Sequence, residues 1–237
     1  MKREDTSLAA IAGYVDTLSF VALFGLFTAH VTGNFVLIGA GTAGFGQGVF
    51  MKLMAFPAFV VGVVITSVIA RSAPAAPGRA AWRIYAVQAA LMLAFCVAGI
   101  GAVPIVHPEN TSVIVCAMLG AAAMGVQNAR DRLVSRPGSV PNTVMTGNVT
   151  QVMLDAFEVL TPSTSPEAKA TSRARLERMV PAVVAFAGGA VAGALAYRRV
   201  GFMALLLPFA ALLWLTFNAW RTQPAVADLK AATDARK

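Results

Sequence analysis

Five stretches of the chain contain no Asp, Glu, Lys or Arg: residues 53–70, 84–103, 113–129, 180–197 and 202–220. Each has 17 to 20 residues, and about 20 helical residues cross the ~30 Å hydrocarbon core of a bilayer. A sixth apolar stretch, residues 8–27, carries a single charge, Asp16. The pattern predicts an all-α integral membrane protein with six transmembrane helices. Lys2 and Arg3 imitate the start of a signal peptide, but the length of the run behind them and its Asp16 argue for a retained span. Two further apolar runs, 35–43 and 149–160, would measure ~14 and ~18 Å as helices, too short to cross. Glycines at 39, 41, 44, 46 and 48 favour a turn behind the first of them. Ser165-Pro166-Glu167 has the cap, N1 proline and early acid of a helix start. The connector helix it opens, with Lys169, Arg173, Arg175 and Arg178, is either solvated or held at the interface by anionic headgroups.

The two short runs follow the same tripeptide. Thr32-Gly33-Asn34 recurs as Thr146-Gly147-Asn148, 114 residues later. Gly13-x-x-Asp16 precedes the first copy and Gly125-x-x-Asn128 the second, 112 residues apart. Two signals in the same order and at nearly the same spacing indicate an internal duplication. The repeats cover 8–103 and 113–220 of one membrane domain, with a polar tail over 221–237. Three spans per repeat is an odd number, so the halves are expected to be inverted. Each short helix then becomes a re-entrant half-helix behind its Thr-Gly-Asn motif, entering from opposite sides.

Composition agrees. Hydrophobic residues make up 57% and charged residues 13%, where soluble domains carry about a quarter charged; mean hydropathy is +0.69. The net charge of +8 follows from topology and does not call for a nucleic-acid partner. With six spans and both termini cytoplasmic, 16 Lys and Arg fall inside and three outside: Lys52, Arg198 and Arg199. If the short helices crossed as well, the split would be 11 to 8, so the positive-inside rule favours six. Cys96 and Cys116 sit inside apolar spans as small hydrophobes and form no metal site. Residues 39–44 match G-x-G-x-x-G formally, but no amphipathic helix or nearby acid follows, so neither a nucleotide nor any other cofactor is expected.

A helix starting inside the membrane leaves its first N–H groups unpaired, at high cost in hydrocarbon. Thr32 and Asn34, and likewise Thr146 and Asn148, are candidate caps, with Gly33 and Gly147 allowing close approach. Two outcomes stay open: caps alone, or caps that also place two helix N-termini around a solute near mid-membrane. Asp16 is the one acid in an apolar span and a functional candidate on that ground; a structural carboxylate, paired across to the other half or to Arg130 or Arg132, is the alternative. Burial should keep it neutral. Asn128 is its counterpart and Gln127 a lesser candidate. His30, matched by Val144, is taken as an interface residue, and Asp155 and Glu158 as solvated. Gly189-x-x-x-Gly193 is a helix-contact motif, internal or between protomers, and a homo-oligomer is expected.

Gly13-Tyr14-Val15-Asp16, residues 27–34, Gly125-Val126-Gln127-Asn128 and Thr146-Gly147-Asn148 together resemble the YoaK-like family of small bacterial inner-membrane proteins. The resemblance runs to about Trp220. It implies a six-span bacterial membrane protein and lends no activity. The leading expectation is a transporter or channel for a neutral or weakly anionic small solute, with Asp16, Thr32, Gly33, Asn34, Gln127, Asn128, Thr146, Gly147 and Asn148 at the site. A non-transporting accessory subunit is the alternative. A membrane-embedded enzyme is disfavoured, since no G-x-S-x-G, H-E-x-x-H or P-loop is present.

Overall fold

The computed structural model describes residues 2–72, 80–134, 140–141 and 143–222. These form α1 Lys2–Ala22, α2 Gly33–Thr42, α3 Val49–Ser72, α4 Ala81–Ala102, α5 Thr111–Leu133, α6 Met145–Leu160, α7 Pro166–Val200 and α8 Leu206–Arg221, with a 3-10 turn, Gly201–Leu205, before the last. No strand occurs among the described residues. The polar tail from 223 onward lies outside them, as do Arg79 and Arg136 of the charge count.

Among the described residues, four segments are long and apolar enough to cross a membrane: α3, α4, α5 and the stretch Pro166–Arg221 that holds α7 and α8. α1, with Glu4, Asp5 and Asp16, is not among them. The outer surface is apolar, carrying Val60, Val64 and Val68 of α3, Val97 and Ile100 of α4, Val184, Val191 and Leu195 of α7 and Leu207 and Trp214 of α8. Exposed apolar surface of that extent belongs against lipid.

Helix ends follow local chemistry, and several differ from the sequence expectation. α1 stops at Ala22, so the first apolar run is helical over only part of its length. Phe24 and Gly25 then take positive φ, 50° and 78°. The Phe24 carbonyl accepts from Lys52 Nζ at 2.7 Å, and the same ammonium reaches the Gln47 carbonyl. Lys52, expected in an outer loop, is therefore buried, because it serves carbonyls that the turn leaves unpaired. Ser165 accepts from Ala168 N–H and starts α7 as predicted. That helix does not end as a connector. It continues through Val200 as one 35-residue helix, since charged side chains alone do not interrupt a helix and Pro181 removes only one backbone bond.

Packing is exchanged between the halves. α1 packs most extensively on α7, and α3 on α5. Glycine sets both crossings by letting backbones touch. A Cβ on Gly13 would lie 2.1 Å from the Phe186 carbonyl oxygen, and one on Gly125 2.3 Å from that of Phe59. The converse contacts are Gly189 on Ala10 and Gly62 on Ala122, each at 2.2 Å. These contacts correspond pairwise: Gly13 and Ala10 precede Gly125 and Ala122 by 112 residues, and Phe59 and Gly62 precede Phe186 and Gly189 by 127. Gly193 rests on the Tyr14 carbonyl. The Gly189-x-x-x-Gly193 face is thus an internal contact, and its glycines no longer support an oligomer.

α6 has a polar inner face and an apolar outer one. Val149, Met153, Leu154, Phe157 and Leu160 are exposed, while Asp155 is buried. Its carboxylate takes two hydrogen bonds from Arg175 Nε at 3.0 Å and one from Nη2 at 2.6 Å, with Gln151 donating a further one. Glu158 accepts from Ser172. Asp155, expected to be solvated, instead ties α6 to α7, and Arg175 holds its carboxyl below the usual carboxylate range. The reason is the hairpin: α6 runs back along the first turns of α7, so Asp155 meets Arg175.

Candidate functional site

Between α1 and α2 the chain is unwound, and its backbone groups need partners that lipid cannot supply. Side chains supply them. Asp16 Oδ1 accepts from the Thr28 and Ala29 N–H groups, each at 2.7 Å, and more weakly from His30 N–H at 3.5 Å. Asp16 Oδ2 lies 2.7 Å from His30 Nδ1. The Asn34 side chain folds back seven residues: its Oδ1 accepts from Phe27 N–H at 2.9 Å, and its Nδ2 donates to the Phe27 carbonyl at 2.8 Å. Ser19 Oγ and Thr28 Oγ1 share a hydrogen bond of 3.0 Å. Asp16, Ser19, Thr28 and Asn34 are all buried.

The second half repeats the clasp in reduced form. Asn148 Nδ2 donates to the carbonyl of Pro141, again seven residues back; proline has no N–H to complete the pair. Asn128 bridges the two halves. Its Nδ2 donates to the Ala29 carbonyl at 3.4 Å, and its Oδ1 accepts from Thr143 Oγ1 at 2.8 Å. The structure thus gathers Asp16, Asn128, His30 and Thr143 around Ala29.

The Thr-Gly-Asn residues divide differently from expectation. Thr32 makes no capping bond and is exposed. α2 begins at Gly33, so Asn34 falls in its first turn and serves the loop, not the helix's own donors. Thr146 and Gly147 likewise lie inside α6 and are exposed. A Cβ on Gly33 would meet the Phe27 ring at 2.9 Å, whereas one on Gly147 would meet nothing closer than Val144 at 3.6 Å. Gln127 belongs to another network: its Oε1 accepts from Gln88 and its Nε2 donates to the Leu8 carbonyl, joining α5 to α4 and α1. Arg130 binds Glu4 and lies over the Tyr85 ring at 5.3 Å, away from the pairing with Asp16 weighed above.

His30 is the residue that sequence undervalued. Asp16 is paired with it and, among the described residues, with neither Arg130 nor the other half. The ring stands edge-on to Phe186 of α7 at 5.3 Å, and 31% of the side chain is exposed. The mismatch with Val144 made it look expendable. A polar ring with no counterpart was in fact the signal. Asp16 is thus held by two short N–H bonds on one oxygen and by the His30 ring nitrogen on the other.

Helices with apolar exteriors, joined inside by buried polar side chains, define a multi-pass α-helical membrane protein. The chain belongs to the family described as "Protein of unknown function (DUF1275)", whose model matches residues 6–218. It is similar to UPF0700 transmembrane protein YoaK of Bacillus subtilis (strain 168), with 28% identity over 151 residues. That match covers 62% of this chain and 64%, under two thirds, of the relative. No solved structure matches.

Proposed function

We propose that the protein carries a small, neutral or weakly anionic solute across the bacterial inner membrane. The proposed arrangement has six spans, both termini cytoplasmic, and two inverted halves with α2 and α6 as re-entrant half-helices. The corresponding glycine contacts of α1 with α7 and α3 with α5 support the inversion. One observation carries the assignment: Asn128 bonds the unwound segment of the first half and the loop of the second, so irregular backbone from both repeats meets at one place. Broken helices at a repeat interface are where secondary transporters bind their solutes. Asp16 and Asn128 flank that point; Asn34 and Asn148 hold the loops in shape around it, with Gly33 close against the Phe27 ring. Gln127 supports the bundle behind. No enzymatic step is proposed.

Stopped-flow light scattering on proteoliposomes challenged with glycerol, urea, formate and nitrite tests this. At least one solute class should permeate faster than through protein-free liposomes, and Asn128→Ala should remove the excess while retaining native helix content. Permeation at the empty-liposome rate for the whole panel, with correctly folded protein, would overturn the proposal.

A further inference from the structure

We propose that His30 is the proton-binding group of this site, accepting at Nε2, with Asp16 as its positioning residue. It names the coupling ion of the transporter proposed above and to that extent rests on it. Almost every polar group in the unwound segment is already engaged: Asp16 by backbone N–H groups, Asn34 by Phe27, Asn128 by Ala29 and Thr143. Besides the exposed Thr32 hydroxyl, which does not titrate, the His30 ring is the exception. Nδ1 is fixed on Asp16 Oδ2 at 2.7 Å, and no hydrogen bond to Nε2 occurs among the described residues. The His30 side chain is 31% exposed against 5% for Asp16, so the ring is the more accessible member of the pair.

The pairing selects the chemistry. A carboxylate accepting from Nδ1–H fixes the neutral imidazole in the tautomer whose Nε2 carries a lone pair. Uptake of one proton forms an N–H bond at Nε2 and gives imidazolium beside an anionic Asp16; release restores the starting pair. Asp16 positions the ring: one of its oxygens accepts two short backbone N–H bonds and the other lies on Nδ1. The surroundings leave the ring unopposed. Asp16 of α1 and Phe186 of α7 contact the ring, while Asn128 of α5 and Thr143 before α6 bond beside it, to the Ala29 carbonyl and to each other. No other ionisable side chain bonds either member of the pair among the described residues.

The chain has two histidines, so His107→Gln leaves His30 as the sole imidazole. Nitrogen-15 NMR of ring-labelled, histidine-107-free protein in nanodiscs, from about pH 9 to about pH 5, spans the range in which imidazole titrates. The expected result is an Nδ1–H neutral tautomer that protonates reversibly at Nε2. Asp16→Asn keeps an acceptor oxygen for the loop but loses the acceptor for Nδ1–H, so the tautomer preference should be lost. An Nε2–H tautomer in the parent protein, or a His30 signal unchanged across that range, would overturn the inference. Proteoliposomes loaded with pyranine and given a pH step supply the second readout. Proton flux above that of empty liposomes should vanish in His30→Gln; flux persisting in that variant also overturns the inference and leaves the transporter standing. Titration at Nε2 without any flux confirms the proton site and counts against the transporter.

Discussion

Asn34 and Asn148 occupy matching positions but contribute unequally. Among the described residues, Asn34 makes two hydrogen bonds to Phe27, whereas Asn148 makes one to Pro141 and a long one of 3.9 Å to Met145 Sδ. Each buried polar group left unpaired costs about 1–3 kcal/mol, so Asn34→Ala should destabilise more than Asn148→Ala, read as the loss in thermal unfolding midpoint in detergent. Thr32→Ala, which removes no bond, should stay within about 0.5 kcal/mol of the parent. Sequence located these residues because they are duplicated. It could not give their roles, since a cap and a seven-residue clasp use the same side chain and differ only in where the helix begins. Asp155 gives a pH test. Arg175 depresses its folded-state value, so the stabilisation is complete above the unfolded carboxyl value of about 3.9 and is lost as pH falls through the lower, folded one. Acid unfolding of the parent should therefore include a step that Asp155→Asn lacks, measured by tryptophan fluorescence.

At the scale of elements, apolar runs predicted α3, α4, α5 and α8 closely, because burial in lipid needs length and hydrophobicity and both are written in composition. Where charge and backbone geometry disagree the prediction failed. The basic run ahead of residue 180 looked like a separate connector, yet nothing in it breaks a helix, and α7 passes straight through. α1 failed in the opposite sense, since the Phe24–Gly25 turn ends it within an apolar run. Adjacent glycines of α7 separate a packing role from a conformational one. A Cβ at Gly188 meets nothing within 4 Å, whereas at Gly189 it would strike the Ala10 backbone at 2.2 Å. Gly188→Ala should be neutral or stabilising by up to ~1 kcal/mol. Gly189→Ala should destabilise by about 1–3 kcal/mol through overpacking, lowering the unfolding midpoint without altering the detergent-solubilised mass.

For the whole molecule, the exchange of partners between halves was beyond sequence: the matched motifs were legible, but which helix of one half lies against which helix of the other depends on backbone contacts. It predicts that neither half is stable alone. A fragment of residues 1–106 should be degraded when expressed singly and recovered when co-expressed with residues 107–237; accumulation of the first fragment by itself, resistant to protease, would show that the exchange is dispensable. The exchange also has a consequence for biosynthesis. The glycine face of α1 is complete once residue 22 has been made, but α7 begins only at residue 166. At about 5–20 residues per second the ribosome takes roughly ten to thirty seconds to supply that partner. Through that interval the nascent α1 is without the α7 backbone its glycine face fits. A ribosome stalled before α7 emerges thus leaves a bilayer-inserted chain with an unoccupied helix face, the kind of orphan that membrane proteases and insertases must recognise and either clear or hold.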